Sequence, residues 1–492
     1  ARERSPVSGP GSIERTELAP GLEISRVVTG LWQVADLERD GSVLDADAAA
    51  EELERYARAG LTTFDMADHY GSSELIAGRF AQRGREAGQC LTKWVPNPGP
   101  HSAADVRRAV ERALERMSTD AIDLLQFHAW SYPDPAWIDC VLHLEALREE
   151  GLVRHLGVTN TDTAHLRMLL DSGVEVVSNQ ICYSLLDRRA AGPMAELCAE
   201  RGTGILAFGT LAGGFLTERW LGAPEPEPAA LRTWSQMKYK RFVDAAGGWD
   251  ALQGVLEALR SAADRLGVSM ANVAVRWVLE SPGVSAVIVG ARLGRSEHIE
   301  DTARLFDFEL DDASVAEIEA ALGRLDPIPR DCGDEYRRPP FLTAAGDLSD
   351  HFDGMPSPYP VHAGPGDRTR ALSGTVWEDL AGFSRAVRKG NRIFVSGTTA
   401  THGNRLVGGT SAASQACFCL DKIEGAILSL GGSLDDVVRT RIYVADPDDA
   451  EAISRVHGAR LGHVQPANTL VRAGLIGDGY LVEMEAEAVV DG

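Results

Sequence analysis

From about Ile24 to Ala303 the chain alternates short apolar runs with amphipathic stretches, a rhythm that predicts strands and helices in turn. The runs RVVTGLW, TTFDMA, QCLTKW, IDLLQFH, RHLGVT, VEVVSN, TGILAF and SAVIVG read as eight strands. Between them, apolar residues at helical spacing predict helices over 48–59, 103–117, 137–150, 163–171, 194–201, 251–266 and 271–280. Strict alternation with short, right-handed connections closes most naturally into an α/β fold, the (β/α)8 or TIM barrel. A doubly wound sheet is the alternative. It would need a GxGxxG turn after the first strand, and GLWQVAD does not supply one.

Ahead of the first strand, SIERTELAPGLEIS reads as a hairpin turning at Pro-Gly, placed to cap the bottom of the barrel. A long insertion between Leu216 and Trp249, rich in Pro and Glu and then basic (MKYKR), follows the seventh strand. Loops of that length in a compact domain are usually functional. After Leu325 the alternation stops. The Pro-, Gly- and charge-rich segment to about Phe352 is expected to pack across the barrel mouth, and 353–370 reads as a linker. From 371 to 492 a smaller α+β unit is expected. FSRAVRKG and RIFVSGTT form its first pair of strands, a long helix runs to Gly431-Gly432, and VVRTRIYVAD, ANTLVRAGL and YLVEMEAEAVV supply further strands. Asp446 is placed to cap the helix over 448–461. The expected domains are therefore 12–352 and 371–492.

With 492 residues, two cores are the natural expectation. The net charge of −23 argues against nucleic acid or an anionic membrane as partner, since both demand basic surface. A phosphorylated cofactor needs only a few local cations or helix N-termini and stays open. Seven cysteines are scattered with no CxxC pair, which suits inert thiols in a reducing cytoplasm and suggests no metal. The opening ARERSPVSGPGS is polar and carries no apolar core of a secretory signal.

Four motifs bring chemistry: Asp65 and Tyr70 in TFDMADHYG, Lys93 in LTKW and His128 in LLQFH. Each closes an apolar run, where a barrel strand delivers side chains to the mouth. A Tyr gives up its proton only if a neighbour favours the phenolate; a Lys cation does so, an Asp holds the Lys, and a His orients the receiving carbonyl. Taken together, 12–302 resembles the aldo-keto reductase superfamily, including the branch with potassium-channel β-subunits. The resemblance implies a (β/α)8 barrel, an NADP(H) cofactor and reversible carbonyl reduction with Tyr70 as general acid. It also implies cofactor contacts. Thr159, Asn160 and Gln180 hold the nicotinamide carboxamide and Phe208 stacks on the ring, while Trp32 is a further cofactor contact that could also wall the substrate pocket. Gly209, Thr210, Leu211 and Gly213 pass close to the pyrophosphate. Gly290, Arg292, His298, Asp301 and Thr302 surround the adenosine phosphate, where an Arg favours NADP over NAD. Trp94 and Trp130 are candidates for the substrate pocket wall, and Lys238, Lys240 and Arg241 for a pyrophosphate clamp.

The segment from 371 to 490 resembles the RidA (YjgF) family, a chorismate-mutase-like α+β fold, through SRAVRKGNRIFVSG, SLDDVVRTRIYV, QPANTLV and YLVEMEAEAV. The resemblance implies a homotrimer or a multiple of one, with an imine or enamine pocket between subunits. Here Asn468 stands where that family's substrate-holding Arg is expected, and Phe383 stands for its usual Tyr. An amide lacks the charged bidentate contact of guanidinium, so standard enamine deamination is not expected. Arg472, two strand steps further on, is a candidate replacement anchor, and Glu485 a candidate for positioning water. The function expected is reduction of an aldehyde, ketone or imine. Two other readings stay open: an NADPH-binding redox sensor with little turnover, and an imine hydrolase centred on the second unit.

Overall fold

The computed structural model describes residues 12–83, 88–295, 298–343 and 354–490. The polar opening segment, the boundary at 352, the tail of the mouth-crossing segment and part of LGRSEH lie outside them.

A hairpin, β1 (Arg15–Ala19) and β2 (Leu22–Ser25), precedes a closed barrel of eight parallel strands. These are β3 (Val27–Gly30), β4 (Thr63–Asp65), β5 (Gln89–Trp94), β6 (Ile122–Phe127), β7 (Val153–Thr159), β8 (Ser178–Cys182), β9 (Gly204–Phe208) and β10 (Val284–Gly290). β10 pairs with both β3 and β9 and so closes the ring. One strand differs from its expected place. The apolar run starting at Val174 enters the ladder only at Ser178, while Val174, Val176 and Val177 are buried ahead of it. Val177 joins Leu18, Leu22 and Ile24 of the hairpin with Val28, Leu91, Leu124, Leu206 and Ala286 in a separate apolar plug. The hairpin thus seals the end of the barrel opposite the catalytic residues.

The helices over 103–117 and 163–171 form where the apolar spacing places them, each with its N-cap in the sequence. Ser102 and Asp105 make a capping box, and Asp162 accepts from His165 N–H. The insertion after β9 is not all loop. It folds into the helix Trp234–Ala245, capped by Thr233, whose buried Lys238, Tyr239 and Phe242 face the protein. The helices Ser73–Gln82 and Asp312–Leu322 also went unpredicted.

The second unit is a seven-stranded sheet with two long helices and, among the described residues, a short one, Val376–Ala381. The stretch expected as linker supplies its first two strands, β11 (Val361–Gly364) and β12 (Arg368–Ala371), the latter antiparallel to β13 (Ala386–Lys389). Alternating Arg368, Thr369, Arg370 and Ala371 pair with a neighbouring strand although they carry little apolar signal, so backbone pairing outweighs composition here. β14 (Arg392–Thr399) continues the sheet, and the short pair β15 (Thr401–His402) and β16 (Arg405–Leu406) stands apart. β17 (Val437–Val444), β18 (Ala467–Arg472) and β19 (Val482–Val489) complete it. The helices Ala412–Ser429 and Ala450–Leu461 cover one face. Asp446 caps the short turn Pro447–Asp449 that leads into the second helix.

The two units are joined through the helix Ala412–Ser429, which is buried on nearly every side. Its Asp421 accepts from His165 Nε2 of the barrel at 3.0 Å and pairs with Arg460 at 2.8 Å. His165 Nδ1 meets Asp162 at 2.7 Å, and its ring stacks on Tyr132 with centroids 3.4 Å apart. Ser414 donates to Asp171, and His402 meets Asp139 at 2.9 Å. Burial alone would neutralise His165. The carboxylates of Asp162 and Asp421 overcome it and hold the imidazole well above its usual pKa, while Asp162 is held down to about 2. Among the described residues no helix is long and apolar enough to cross a membrane.

Candidate active site

The mouth of the barrel opens on a cavity of about 650 Å3. Asp65 ends β4, Lys93 sits one residue before the end of β5, and Gln126 and Gln180 project from β6 and β8. Their side chains form one buried cluster. Lys93 Nζ donates to both Asp65 oxygens at 2.8 and 2.6 Å and to the Met66 carbonyl at 2.9 Å. Gln180 Nε2 donates to Asp65 Oδ1 at 2.7 Å and to Gln126 Oε1 at 3.0 Å. The Lys93 ammonium lies 4.7 Å from the centre of the Tyr70 ring. Burial pulls Lys93 below its usual pKa, and the Asp65 carboxylate opposes that pull.

His128 follows β6. Its Nδ1 faces the Thr159 carbonyl at 3.3 Å, and its Nε2 is buried without a hydrogen-bond partner among the described residues. Burial, reinforced by the nearby Arg337, depresses the imidazole well below its usual pKa, so it stands neutral at pH 7. With Nδ1–H pointed at a carbonyl, Nε2 would be an acceptor; the other tautomer makes Nε2 a donor aimed into the cavity. Asn160 Oδ1 is likewise buried and unpartnered, and Asn160 has a positive φ of 54°. Orphaned polar atoms in a cavity wall are the mark of a site shaped for a polar ligand.

Trp32, Thr159, Asn160, Gln180, Phe208, Gly209, Thr210, Leu211, Gly213, Gly290, Arg292, His298, Asp301 and Thr302 all line this one cavity, together with Tyr70, His128 and Trp130. Trp94 does not. Strand side chains alternate, so with Lys93 pointing inward Trp94 points out, against Phe127 and His101. Trp130 sits at the rim, its ring edge-on to His128 at 4.4 Å.

Gly209 and Gly213 answer to a neighbour within the fold. A Cβ on Gly209 would fall 2.1 Å from the Tyr239 hydroxyl and one on Gly213 2.7 Å from the Ser235 carbonyl, and both residues have positive φ. The insertion helix demands glycine at both. Gln180 also differs from its expected use, because its amide N–H groups are committed to Asp65 and Gln126. Of the expected basic clamp, Lys240 pairs with Glu225 and Asp244, and Arg241 binds the Thr343 carbonyl. Only Lys238 reaches the cavity. Sequence reasoning missed Ser269 and Asn272, which hold Asp301 at 2.9 and 3.1 Å, and Tyr336, which the mouth-crossing segment brings into the wall. That segment is pinned by Arg337, which donates to the carbonyls of Ala129 and Asn160, and by Glu335, paired with Arg189 at 2.9 Å.

Residues 26–322 match the model of the Aldo/keto reductase family. The chain belongs to the aldo/keto reductase family. Residues 377–490 match a second model, Endoribonuclease L-PSP, so the protein is a fusion of an aldo/keto reductase barrel with a RidA-like domain. The uncharacterized oxidoreductase YrpG of Bacillus subtilis is 30% identical over 315 residues, spanning 59% of this chain and 90% of that protein. The NADH-specific methylglyoxal reductase of Escherichia coli is 25% identical over 321 residues, spanning 60% and 93%. The structure of a glycerol dehydrogenase from Gluconobacter oxydans superposes with a TM-score of 0.54 at 22% identity, covering 66% of this chain and 98% of that one, a likeness of fold.

In the RidA-like domain the expected pocket residues do not gather on one face: Asn468 and Arg472 share the helix-covered side of the sheet with Thr440 and Val444, Glu485 lies on the opposite side with Arg441 and Tyr443, and Phe383 precedes β13 rather than belonging to a strand. Phe383, Asn468 and Arg472 are exposed. Asn468 accepts from Thr440, and Glu485 is held by Arg441 at 2.8 Å and by the Tyr443 hydroxyl at 3.0 Å.

Proposed function

We propose that this aldo/keto reductase is an NADPH-dependent oxidoreductase that reduces an aldehyde, ketone or imine. The observation that carries the reading is the buried Lys93 ammonium, held by Asp65 and set over the Tyr70 ring, opposite the unpartnered His128 Nε2. The carbonyl oxygen sits between Tyr70 and His128, whose Nε2 donates to it in the Nε2–H tautomer. Tyr70 then gives its proton to that oxygen, and Lys93 stabilises the phenolate left behind. Asp65 keeps the ammonium charged despite its burial, and Gln126 and Gln180 keep Asp65 in place.

The residues fit a nicotinamide dinucleotide. Among the described residues Asn160 offers a buried orphan oxygen at the catalytic end, and Arg292, whose guanidinium lies 3.9 Å from Asp36 but whose Nε has no partner, lines the same cavity with His298. Thr159 spends its hydroxyl on the Gln180 carbonyl, so Asn160 would hold the carboxamide, Phe208 the ring face, and Arg292 a 2′-phosphate. The cofactor, when bound, supplies the hydride. One relative is named as NADH-specific, so Arg292 is what favours NADPH here.

The open sheet face exposes Phe394, Val438 and Val471, which supports a homotrimer formed through the RidA-like domain. Light scattering that returns a monomer removes that part. Seven unpaired thiols suit a reducing cytoplasm. The test of the function is NADPH oxidation across aldehydes, ketones and cyclic imines with Tyr70→Phe alongside. Turnover lost in the variant establishes the reductase; tight NADPH binding with no turnover makes the protein a redox sensor instead.

A further inference from the structure

Lys238 is the cation that the tetrad does not use. Its side chain is almost wholly buried, with 3% of the residue exposed, yet it lines the cavity. Its ammonium stands among four aromatic rings: Tyr336 at 4.8 Å, Phe208 at 5.1 Å, Tyr239 at 5.6 Å and Trp32 at 5.7 Å from the ring centres. Its polar partner is the Tyr336 hydroxyl, to which it donates at 2.5 Å. Among the described residues no carboxylate pairs with it. Ring faces offset part of the cost of taking a cation from water, but a buried charge is normally matched by an opposite one.

Position says which ligand would bring that charge. The Tyr336 ring is 5.5 Å from the His128 ring and 4.8 Å from the Lys238 ammonium, which bounds the distance from ammonium to imidazole at about 10 Å. Lys238 therefore serves the catalytic end, beside Phe208 and Trp32, while Arg292 and His298 are left for the phosphates of the cofactor. Tyr336 is not free to drift. Its neighbours Glu335 and Arg337 are fastened to Arg189 and to the Ala129 and Asn160 carbonyls.

We propose that Lys238 and the Tyr336 hydroxyl form an anion subsite beside the reacting carbonyl, so that the preferred substrates carry a carboxylate a few bonds from the C=O. This rests on the reductase reading above. A carboxylate there would accept from the Lys238 ammonium and from Tyr336 O–H, and the carbon chain would run past the Tyr336 ring toward His128.

The experiment compares succinic semialdehyde with its methyl ester, which carries the same aldehyde without the charge. Both are assayed with wild type, Lys238→Met, Lys238→Arg and Tyr336→Phe, with the Kd for NADPH measured in parallel. Wild type should prefer the acid. Lys238→Met should cut that preference at least about tenfold, chiefly through KM, as expected for loss of a charge-assisted hydrogen bond. Lys238→Arg should keep most of it, and Tyr336→Phe should fall between. A wild type that favours the ester overturns the proposal. So does a Lys238→Met variant that keeps the preference, or one whose main defect is weaker NADPH binding, which would make Lys238 a cofactor anchor. Should Lys238→Met fail to fold, Tyr336→Phe decides, and an unchanged preference there refutes the subsite. If neither aldehyde nor any other carbonyl is turned over, the reductase reading fails by itself. Succinate titrated into the NADPH-loaded protein then tests the subsite through tryptophan fluorescence: a saturable change in wild type that is lost in Lys238→Met supports it, and no difference between them overturns it.

Discussion

Replacing Asp421 by Asn should uncouple the two domains. The carboxylate is buried, with a side chain 1% exposed, and it faces His165 Nε2 at 3.0 Å and Arg460 at 2.8 Å. His165 is 2% exposed and Arg460 10%. Removing the charge leaves one buried cation short of its partner and makes the His165 proton much less favourable. Breaking a buried pair by removing one member costs about 3–5 kcal/mol. Asn keeps an oxygen that can still accept, so the low end applies, about 3 kcal/mol. For a domain of this size that lowers the melting transition of the RidA-like part by on the order of 10 °C. The pH profile gives the second readout. His165 has a raised pKa in the folded protein, so its contribution is fully present below about pH 6.5, its unfolded value, and is lost as pH rises through the folded value. Asp162 is held at about 2 and Asp421 is also lowered, so their contribution is present above about pH 4 and is lost as pH falls. The groups facing His165 are Asp162, Asp421 and Cys417, with Arg460 beyond Asp421 and Arg337 near Tyr132. Calorimetry of wild type and Asp421→Asn at pH 5.5 and pH 9 is the assay. Wild type should lose more stability than the variant between the two. A variant that melts within a degree of wild type at pH 5.5, with the same pH slope, refutes the reasoning.

Lys93→Met should lower kcat about 10²- to 10⁴-fold, because the phenolate of Tyr70 loses its cation, and steady-state kinetics with any working carbonyl reads it. The depressed pKa of His128 predicts that kcat/KM has no inflection near pH 6.5 from this residue; an acid limb there that disappears in His128→Gln would show the imidazole titrating in its ordinary range. Arg292→Leu should weaken NADPH at least about tenfold and leave NADH nearly unchanged, measured as the ratio of the two Kd values. Gly209→Ala places a Cβ on the Tyr239 hydroxyl and should cost about 1–3 kcal/mol by chemical denaturation, with partial rescue by Tyr239→Phe, which removes the clashing oxygen.

The chain itself determined the barrel. Eight apolar runs at regular spacing leave few closed topologies, and strand ends locate Asp65, Lys93 and His128 at the mouth. Capping side chains such as Ser102 and Asp162 fixed helix starts for the same reason, since they act within a few residues of themselves. What escaped the sequence depends on contacts between distant segments. Polar strands at Val361–Gly364 and Arg368–Ala371 exist because the edge of a sheet pairs with them. Trp94 reads like a pocket residue until the pleat turns it outward. Gly209 and Gly213 serve Tyr239 and Ser235, residues on the helix within the insertion. Tyr336 and Lys238 meet across 98 positions, and His165 and Asp421 across 256. Local periodicity carries no information about such pairs. Only tertiary packing decides which buried charge finds a partner, and it left Lys238 facing the cavity.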